Sequence, residues 1–277
     1  MKIALWSDVH WNHDKNSHKR IAKFLKKLAN EEFDILVIAG DMATKHVKGI
    51  RSFAKTLREF LPERKIAWVL GNHDIAGDPS WRYSNKYLAP TPRGFKRKHL
   101  SLQEIFQYIK DVEYEFNIYH LLEEPQKFED TLIIGYDGWY GSSNPGAVID
   151  GSFRETTDND KFPPQTDGMP SLDFLKQKAH DDLNSVLYYD KSNFKNKVCV
   201  THFPPYSFNP IYRQMIADEN SLPLLCEEFD YLLVGHSHQD EQWNFKGCEI
   251  INCGNDYQKC KAKIININTN EVKVINQ

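Results

Sequence analysis

The chain has 277 residues, and its 35 Lys and Arg residues nearly balance its 38 Asp and Glu residues, giving a formal net charge of -3. Hydrophobic residues make up 40% and charged residues 26%, which is ordinary for a soluble globular protein. This balance disfavours nucleic acid and anionic membranes as partners, although a local basic patch would leave nucleic acid open.

Neither a membrane anchor nor a secretion signal is evident in the sequence. No run approaches the ~18 consecutive apolar residues of a membrane span, and the N-terminal apolar run is too short for a signal peptide. The five cysteines lack the paired spacing of a structural zinc site, which predicts reduced, buried thiols. We therefore expect a cytoplasmic protein that does not associate with membranes.

The first 75 residues alternate short apolar strands with amphipathic helices. Strands are predicted at 2–6, 35–39 and 66–70. The two intervening segments carry apolar residues at helical spacing, and Pro62 ends the second helix. Alternation of this kind predicts βαβ units with largely parallel strand pairing.

The remainder of the chain is less regular. Helices are predicted at 102–109 and 172–189. Segments 78–100 and 137–170 are predicted to be long loops. Further strands are predicted at 118–122, 131–136, 198–201, 231–234, 242–245, 249–252 and 261–267. The last four are short and indicate antiparallel strands at the end of the chain. Because no linker divides the chain, we predict one domain over 1–277.

Polar residues that suit a metal site directly follow five of the predicted strands. They are Asp8 and His10, Asp41, the run Asn72, His73 and Asp74, His202, and the pair His236 and His238. Ligand crevices of open α/β sheets lie beyond the carboxyl ends of the strands, so we expect these groups to meet at one rim. Carboxylates combined with imidazoles suit Zn, Mn or Fe, and one Asp can bridge two ions through its two oxygens.

Each of these short motifs has an ordinary alternative. An isolated pair such as Asp8 and His10 is common, and His236 and His238 alone would more often be a surface coincidence. The run from Gly71 to Asp74 could form a simple turn. All five blocks in order, each after an apolar strand, favour a metal site over these separate explanations.

Taken together, the five blocks resemble the signature of the calcineurin-like metallophosphoesterase superfamily. The matching residues span positions 8 to 238, and segments 200–206 and 232–238 are similar to small bacterial-type phosphoesterases. The resemblance implies an α/β (mixed α+β) fold, a four-layer αββα sandwich of two mixed β-sheets flanked by helices.

The resemblance also implies a role for each residue in a centre of two divalent ions, Mn, Fe or Zn. One ion would be held by Asp8, His10, Asp41 and His238, and the other by Asp41, Asn72, His202 and His236. A hydroxide bridging the ions would attack phosphorus, and His73 would protonate the leaving group as a general acid. Asp74 would orient His73 and keep it cationic, and Asn72 would offer an amide donor to a phosphate oxygen.

The implied activity is hydrolysis of a phosphate mono- or diester of a small phosphorylated or nucleotide-like substrate. The alternatives are a nuclease-type phosphodiesterase, a protein phosphatase, and a non-catalytic interaction scaffold on the same fold. The net charge and the short segment after His238 disfavour the nuclease. All the expected ligand positions are occupied, which disfavours the scaffold.

Loop segments are the expected determinants of substrate choice. The insertions at about 78–100 and 136–170 are predicted to form part of the substrate rim, and 203–220 lies beside His202. Interleaved aromatic and basic side chains can stack a base and hold a phosphate. The ordinary alternative is a solvated basic loop with anchored aromatic rings. The candidate substrate-binding residues are Trp81, Arg82, Tyr140, Tyr206 and Arg213.

Overall fold

The protein is described here by a computed structural model covering residues 1–44, 47–76, 102–137, 172–204 and 221–277. Its helices are α1 (Ser17–Leu28), α2 (Val47–Phe60), α3 (Asn72–Ala76), α4 (Leu102–Phe116), α5 (Leu172–Leu187) and α6 (Ser221–Glu228). Its strands are β1 (Lys2–Trp6), β2 (Ile35–Ala39), β3 (Lys65–Val69), β4 (Tyr119–His120), β5 (Gln126–Lys127), β6 (Thr131–Tyr136), β7 (Asn196–Thr201), β8 (Tyr231–Val234), β9 (Asp240–Phe245), β10 (Cys248–Cys253), β11 (Lys261–Asn266) and β12 (Glu271–Asn276).

The strands form two mixed sheets of six. The first has the order β12-β11-β1-β2-β3-β4, in which β1 to β4 are parallel and β11 and β12 are antiparallel additions. The second has the order β5-β6-β7-β8-β10-β9, with four parallel strands between the antiparallel edge strands β5 and β9. Parallel pairing brings the carboxyl ends of β1, β2 and β3 to one edge, and those of β7 and β8 likewise.

Alternating side chains of the second sheet face two different apolar layers. On β7, Val198 and Val200 lie in the main core shared with the first sheet, whereas Cys199 lies in a second cluster. That cluster also contains Val186 of α5 and Leu225 of α6, so these helices cover the outer face. The first sheet is covered in the same way by α1, α2 and α4, and the predicted four-layer sandwich is confirmed.

Several predicted boundaries differ from the structure. Helix α4 continues beyond residue 109 to Phe116, and the strand predicted over 118–122 contains only Tyr119 and His120. Helices α3 and α6 and strands β5 and β12 were not predicted from the sequence. Of the four late strands predicted to be antiparallel, β9 pairs in this way with β10, and β11 with β1, but β8 is parallel to both β7 and β10. All five cysteines are buried free thiols that form no disulfide.

Candidate metal centre

Seven side chains from the predicted motifs converge between the carboxyl ends of the strands. Here they are called the ligand cluster: Asp8, His10, Asp41, Asn72, His202, His236 and His238. All except His238 are buried. The turns that carry them are hydrogen-bonded together, because Asp8 N donates to Gly40 O at 3.0 Å and Gly235 N to His202 O at 3.0 Å. The sequence prediction that these segments share one rim is therefore confirmed.

One half of the ligand cluster contains Asp8, His10 and His238. One potential ligand atom from each lies within 4.8 Å of the other two. His238 Nε2 is 3.7 Å from Asp8 Oδ1, and His10 Nε2 is 3.8 Å from Asp41 Oδ2. These separations exceed normal hydrogen bonds and leave space for a cation between the ligand atoms.

The other half contains Asp41, His202 and His236, whose potential ligand atoms lie within the same 4.8 Å limit. His202 Nε2 is 3.4 Å from Asp41 Oδ1, and it is 3.2 Å from the side-chain oxygen of Asn72. Since Asp41 Oδ2 faces His10 while Asp41 Oδ1 faces His202, the carboxylate of Asp41 lies between the two halves.

Two buried ring nitrogens provide a test of whether a cation fits here. Among the residues that the structure describes, His10 Nε2 and His236 Nε2 are buried without a hydrogen-bond partner. An unpaired buried polar group costs about 1–3 kcal/mol. Burial also lowers the pKa of both imidazoles, which favours the neutral form that binds metals. The donor set therefore fits divalent cations.

Charge in the centre of the ligand cluster is concentrated on Asp41 and His202. Burial works against ionisation of Asp41, but His202 and the other surrounding imidazoles hold its pKa well below the usual value. Burial lowers the pKa of His202, but the carboxylate of Asp41 outweighs that effect and raises the pKa of His202 to about 9. Asp41 is thus an anion, the form in which a carboxylate binds a cation, whereas His202 must release a ring proton before Nε2 can do so.

The backbone at the ligand cluster is strained. Asp8, His10, Asp41, His236 and His238 all have positive φ, between 48° and 65°. In the part of the chain described, only three other non-glycine residues do so. Left-handed backbone at residues other than glycine costs of the order of 1–3 kcal/mol and concentrates at functional sites.

Two glycines are required by the close approach of the motif turns. A Cβ on Gly40, whose φ is 78°, would lie 2.5 Å from His202 Nδ1. A Cβ on Gly71 would lie 2.2 Å from Asp41 Oδ1 and 2.4 Å from Asp41 N. Both glycines therefore permit the turns to pack directly against ligand residues.

Residues that the sequence analysis missed orient the histidines of the ligand cluster. His238 Nδ1 donates to Asn255 O at 3.0 Å, and His10 Nδ1 lies 3.0 Å from Thr44 Oγ1. In addition, Asn255 Nδ2 donates to Asp8 O at 2.6 Å. Such partners fix the rings so that Nε2 faces the ligand position. Asn255 lies two residues after β10, and Thr44 lies in the turn that follows β2, but neither belongs to the five predicted blocks.

Tyr257 is a second kind of neighbour that the sequence analysis missed. Its ring stacks on His10 and His238, with centroids 4.3 Å and 4.9 Å away, and lies tilted against His13 at 4.3 Å. Tyr257 is partly buried and covers one flank of the ligand cluster. It lies far from every motif in the sequence, and its contact with them arises only through the fold.

His73 lies at the exposed margin of the ligand cluster. It is partly exposed, whereas the neighbouring Asn72 and Asp74 are buried. Its backbone N donates to Asp41 Oδ1 at 2.9 Å, and its ring centroid is 5.0 Å from that of His10. One ring nitrogen also lies within 4.8 Å of potential ligand atoms of His10 and Asp41, so His73 borders the centre directly.

The structure gives Asp74 a different function from the predicted one of orienting His73. Its two carboxylate oxygens accept four backbone N–H groups at 2.8–3.2 Å, those of Asp41, Met42, Ala43 and Gly71. Asp74 therefore ties the turn after β2 to the turn after β3. The backbone amides of these turns meet its oxygens, so the expected pairing with the imidazole is corrected.

The candidate substrate-binding residues lie outside the described residues. They are Trp81, Arg82, Tyr140, Tyr206 and Arg213. The same holds for most of the two predicted rim insertions. Their part in substrate binding stays a prediction.

A four-layer sandwich with a buried cluster of imidazoles and carboxylates is the arrangement of a metal-dependent hydrolase. The family model for calcineurin-like phosphoesterase matches residues 1–240, which is most of the chain. This protein belongs to the calcineurin-like phosphoesterase family and is thus a metal-dependent hydrolase of phosphoric esters. No curated protein matches its sequence.

Solved structures with the same fold include two enzymes. A phosphopantetheinyl hydrolase from Mycobacterium tuberculosis is 18% identical, with a TM-score of 0.58 over 91% of this chain and 88% of that chain. A dimetal phosphatase from Danio rerio is 14% identical, with a TM-score of 0.53 over 100% of this chain and 98% of that chain. At these identities the likeness concerns the fold.

No helix in the described ranges is long and apolar enough to cross a membrane.

Proposed function

We propose that this chain hydrolyses a phosphate mono- or diester of a small phosphorylated or nucleotide-like molecule at a pair of divalent cations. The observation that carries the proposal is the position of Asp41. Its Oδ2 faces His10 and its Oδ1 faces His202, so each half of the ligand cluster has its own imidazoles and shares one carboxylate.

The seven side chains of the ligand cluster divide into two ligand sets. Asp8, His10, Asp41 and His238 form the first. Asp41, Asn72, His202 and His236 form the second. Their mixture of oxygen and nitrogen donors suits Mn, Fe or Zn. Bound cations would lower the pKa of a coordinated water and neutralise charge on the phosphoryl oxygens.

His73 is proposed as the general acid that protonates the leaving-group oxygen. It is the partly exposed member of its motif, and its backbone N is fixed on Asp41 Oδ1. A ring held beside the centre yet open on one side can reach a substrate oxygen that its buried neighbours cannot. Asp74 is proposed to position this turn through its backbone hydrogen bonds and not to touch the substrate.

Removal and return of metal test the function. Protein stripped with a chelator should hydrolyse neither p-nitrophenyl phosphate nor bis(p-nitrophenyl) phosphate. Activity should return with Mn, Fe or Zn as two equivalents bind in titration calorimetry. Full activity in the stripped protein, or no cation uptake, would contradict the proposal. A panel of nucleotides, phosphorylated metabolites and phosphopantetheine esters, the last suggested by the mycobacterial structure, would then identify the substrate class.

The acid role of His73 is tested by His73→Ala. We expect the variant to keep both cations and to lose about 10²–10⁴-fold in kcat for poor leaving groups. The loss should shrink for p-nitrophenol, whose oxygen needs little protonation on departure. Equal losses across a series of aryl phosphates would argue against proton donation by His73.

A further inference from the structure

A second buried cluster of titratable groups lies outside the ligand cluster. It consists of Glu113 on α4, His120 on β4 and Asp137 directly after β6, and is called here the His120 cluster. Their side chains are 10%, 8% and 2% exposed, respectively. Buried charged groups are costly unless they are paired, so their partners indicate what the cluster does.

The imidazole of His120 lies between two carboxylates. His120 Nε2 is 2.8 Å from Asp137 Oδ2, and His120 Nδ1 is 3.8 Å from Glu113 Oε1. Glu113 Oε1 also accepts a hydrogen bond from Trp68 Nε1 at 2.6 Å. Burial lowers the pKa of His120, but Asp137 and Glu113 outweigh it and raise it to about 9. A buried ion pair between His120 and Asp137 follows.

The other oxygen of Asp137 reaches the turn that carries His73. Asp137 Oδ1 accepts a hydrogen bond from Leu70 N at 2.9 Å. Leu70 lies beyond the end of β3, where the sheet no longer supplies a partner: β4 pairs only with Ala67 and Trp68. The next amide, Gly71 N, donates to Asp74 Oδ2 at 2.8 Å. Two carboxylates thus hold the consecutive amides that precede Asn72 and His73.

The hydrogen bond between Leu70 N and Asp137 Oδ1 connects the two sheets. Asp137 follows β6 of the second sheet, whereas Leu70 follows β3 and His120 lies on β4 of the first sheet. His120 fixes Asp137 through a charged hydrogen bond, which is stronger than a neutral one. The position of the Leu70–Gly71 backbone therefore depends on how the two sheets are paired at this edge.

We propose that Asp137, held by His120, is a positioning residue that sets the place of His73 beside the ligand cluster. This inference rests on the proposed function, in which His73 donates a proton to the leaving group. A displacement of about 1 Å in a catalytic group can cost about 10²-fold in rate. Loss of the Asp137–Leu70 bond is expected to act on that step and to leave cation binding intact.

Kinetics of Asp137→Ala test the proposal. We expect kcat to fall by about 10–100-fold for poor leaving groups and less for p-nitrophenol, with KM and the two bound cations little changed. In a double variant with His73→Ala, the Asp137 substitution should add little further loss, because both changes remove the same proton transfer. A multiplicative loss, or an equal loss for all leaving groups, would overturn the positioning role.

Hydrogen exchange provides a readout that does not depend on activity. Amides in a peptide covering residues 69–76 should exchange faster in Asp137→Ala than in the wild type. Glu113→Gln is the matched control: it alters the His120 cluster without touching Leu70, and should leave both exchange in 69–76 and kcat near wild type. Unchanged exchange in Asp137→Ala would overturn the inference.

Two further outcomes, an Asp137→Ala variant that does not fold and a wild-type protein without activity, can each be interpreted. If Asp137→Ala does not fold, Asp137→Asn keeps an oxygen for Leu70 N and loses the charged pair with His120. Amides in 69–76 of Asp137→Asn should exchange faster than in the wild type, and exchange equal to that of the wild type would contradict the need for His120. If wild-type protein hydrolyses no phosphate ester, the proposed function fails, while the exchange experiment still tests the Asp137–Leu70 anchor.

Discussion

The ligand cluster and the His120 cluster are both buried groups of histidines and carboxylates, yet they differ in how their polar atoms are satisfied. In the His120 cluster both ring nitrogens of His120 face carboxylates, and one of those carboxylates also holds a backbone amide. In the ligand cluster, His10 Nε2 and His236 Nε2 lack hydrogen-bond partners within the described ranges.

The backbone shows the same contrast. Five residues of the ligand cluster have positive φ, whereas none of the three residues in the His120 cluster does. Unpaired nitrogens and left-handed backbone each cost about 1–3 kcal/mol, and a fold retains such costs where a ligand offsets them. The ligand cluster is therefore built around something it binds, and the His120 cluster is complete in itself.

Among the substitutions that test this contrast, Asp41→Asn should have the largest effect on activity. Removing the shared anion should weaken both cation sites and reduce kcat/KM by well over the ~100-fold typical of losing an outer hydrogen bond. Calorimetry with Mn and hydrolysis of p-nitrophenyl phosphate measure this. Asp111→Asn, on an exposed carboxylate of α4, is the control. Wild-type turnover in Asp41→Asn would contradict the proposed bridging role of Asp41.

Gly71→Ala should come next in size. The added Cβ would lie 2.2 Å from Asp41 Oδ1, so Asp41 or the turn has to move. We expect a loss of roughly 10²-fold in kcat/KM. Gly247→Ala is the matched control: its φ of 96° makes alanine strained, but a Cβ there meets nothing within 4 Å. The control should lose stability and retain activity, and a fully active Gly71→Ala would contradict the packing argument.

His120→Gln should affect stability in a pH-dependent way. Because folding raises the pKa of His120 to about 9, its contribution is present in full below the unfolded pKa of ~6.5 and is lost as pH rises through 9. Glu113, Asp137 and Glu123 are the charged groups acting on it. The difference in free energy of unfolding between wild type and variant should therefore fall by roughly 3 kcal/mol between pH 6 and pH 10. Urea denaturation measures it, and a constant difference would show that the ion pair is absent.

Tyr257→Leu should have the smallest effect. It removes the stacking on His10 and His238, which is worth about 1 kcal/mol, or roughly fivefold in cation affinity. Tyr257→Phe keeps the ring and should bind cations as the wild type does. Titration calorimetry separates the two variants. An equal loss in both would assign the effect to the hydroxyl.

Much of the fold could be predicted because its early strands and helices have strong periodicity. Strands β1, β2 and β3 and helices α1 and α2 follow from continuous apolar strands and helices with one buried face. Helix α6 was missed because it is short and contains Pro223. Strand β12 was missed because it is an edge strand, exposed at most positions, and its pattern is weak.

The ligands of the candidate site could be predicted because each follows a strand, and parallel strands bring their carboxyl ends together. The residues that support these ligands were not predicted, although Asp137 follows β6 and Asn255 follows β10. Asn255 acts through its backbone oxygen and its side-chain amide, Asp137 through a hydrogen bond from Leu70 N, and Tyr257 through ring contacts. Such roles depend on register between distant segments, which no local spacing records. Asp74 was misjudged for the same reason.

Anomalous diffraction from crystals grown with Mn tests the central claim most directly. Two peaks are expected, one beside Asp8, His10 and His238 and the other beside His202 and His236, with the carboxylate of Asp41 between them. Peaks confined to surface carboxylates, or none within the ligand cluster, would contradict the account.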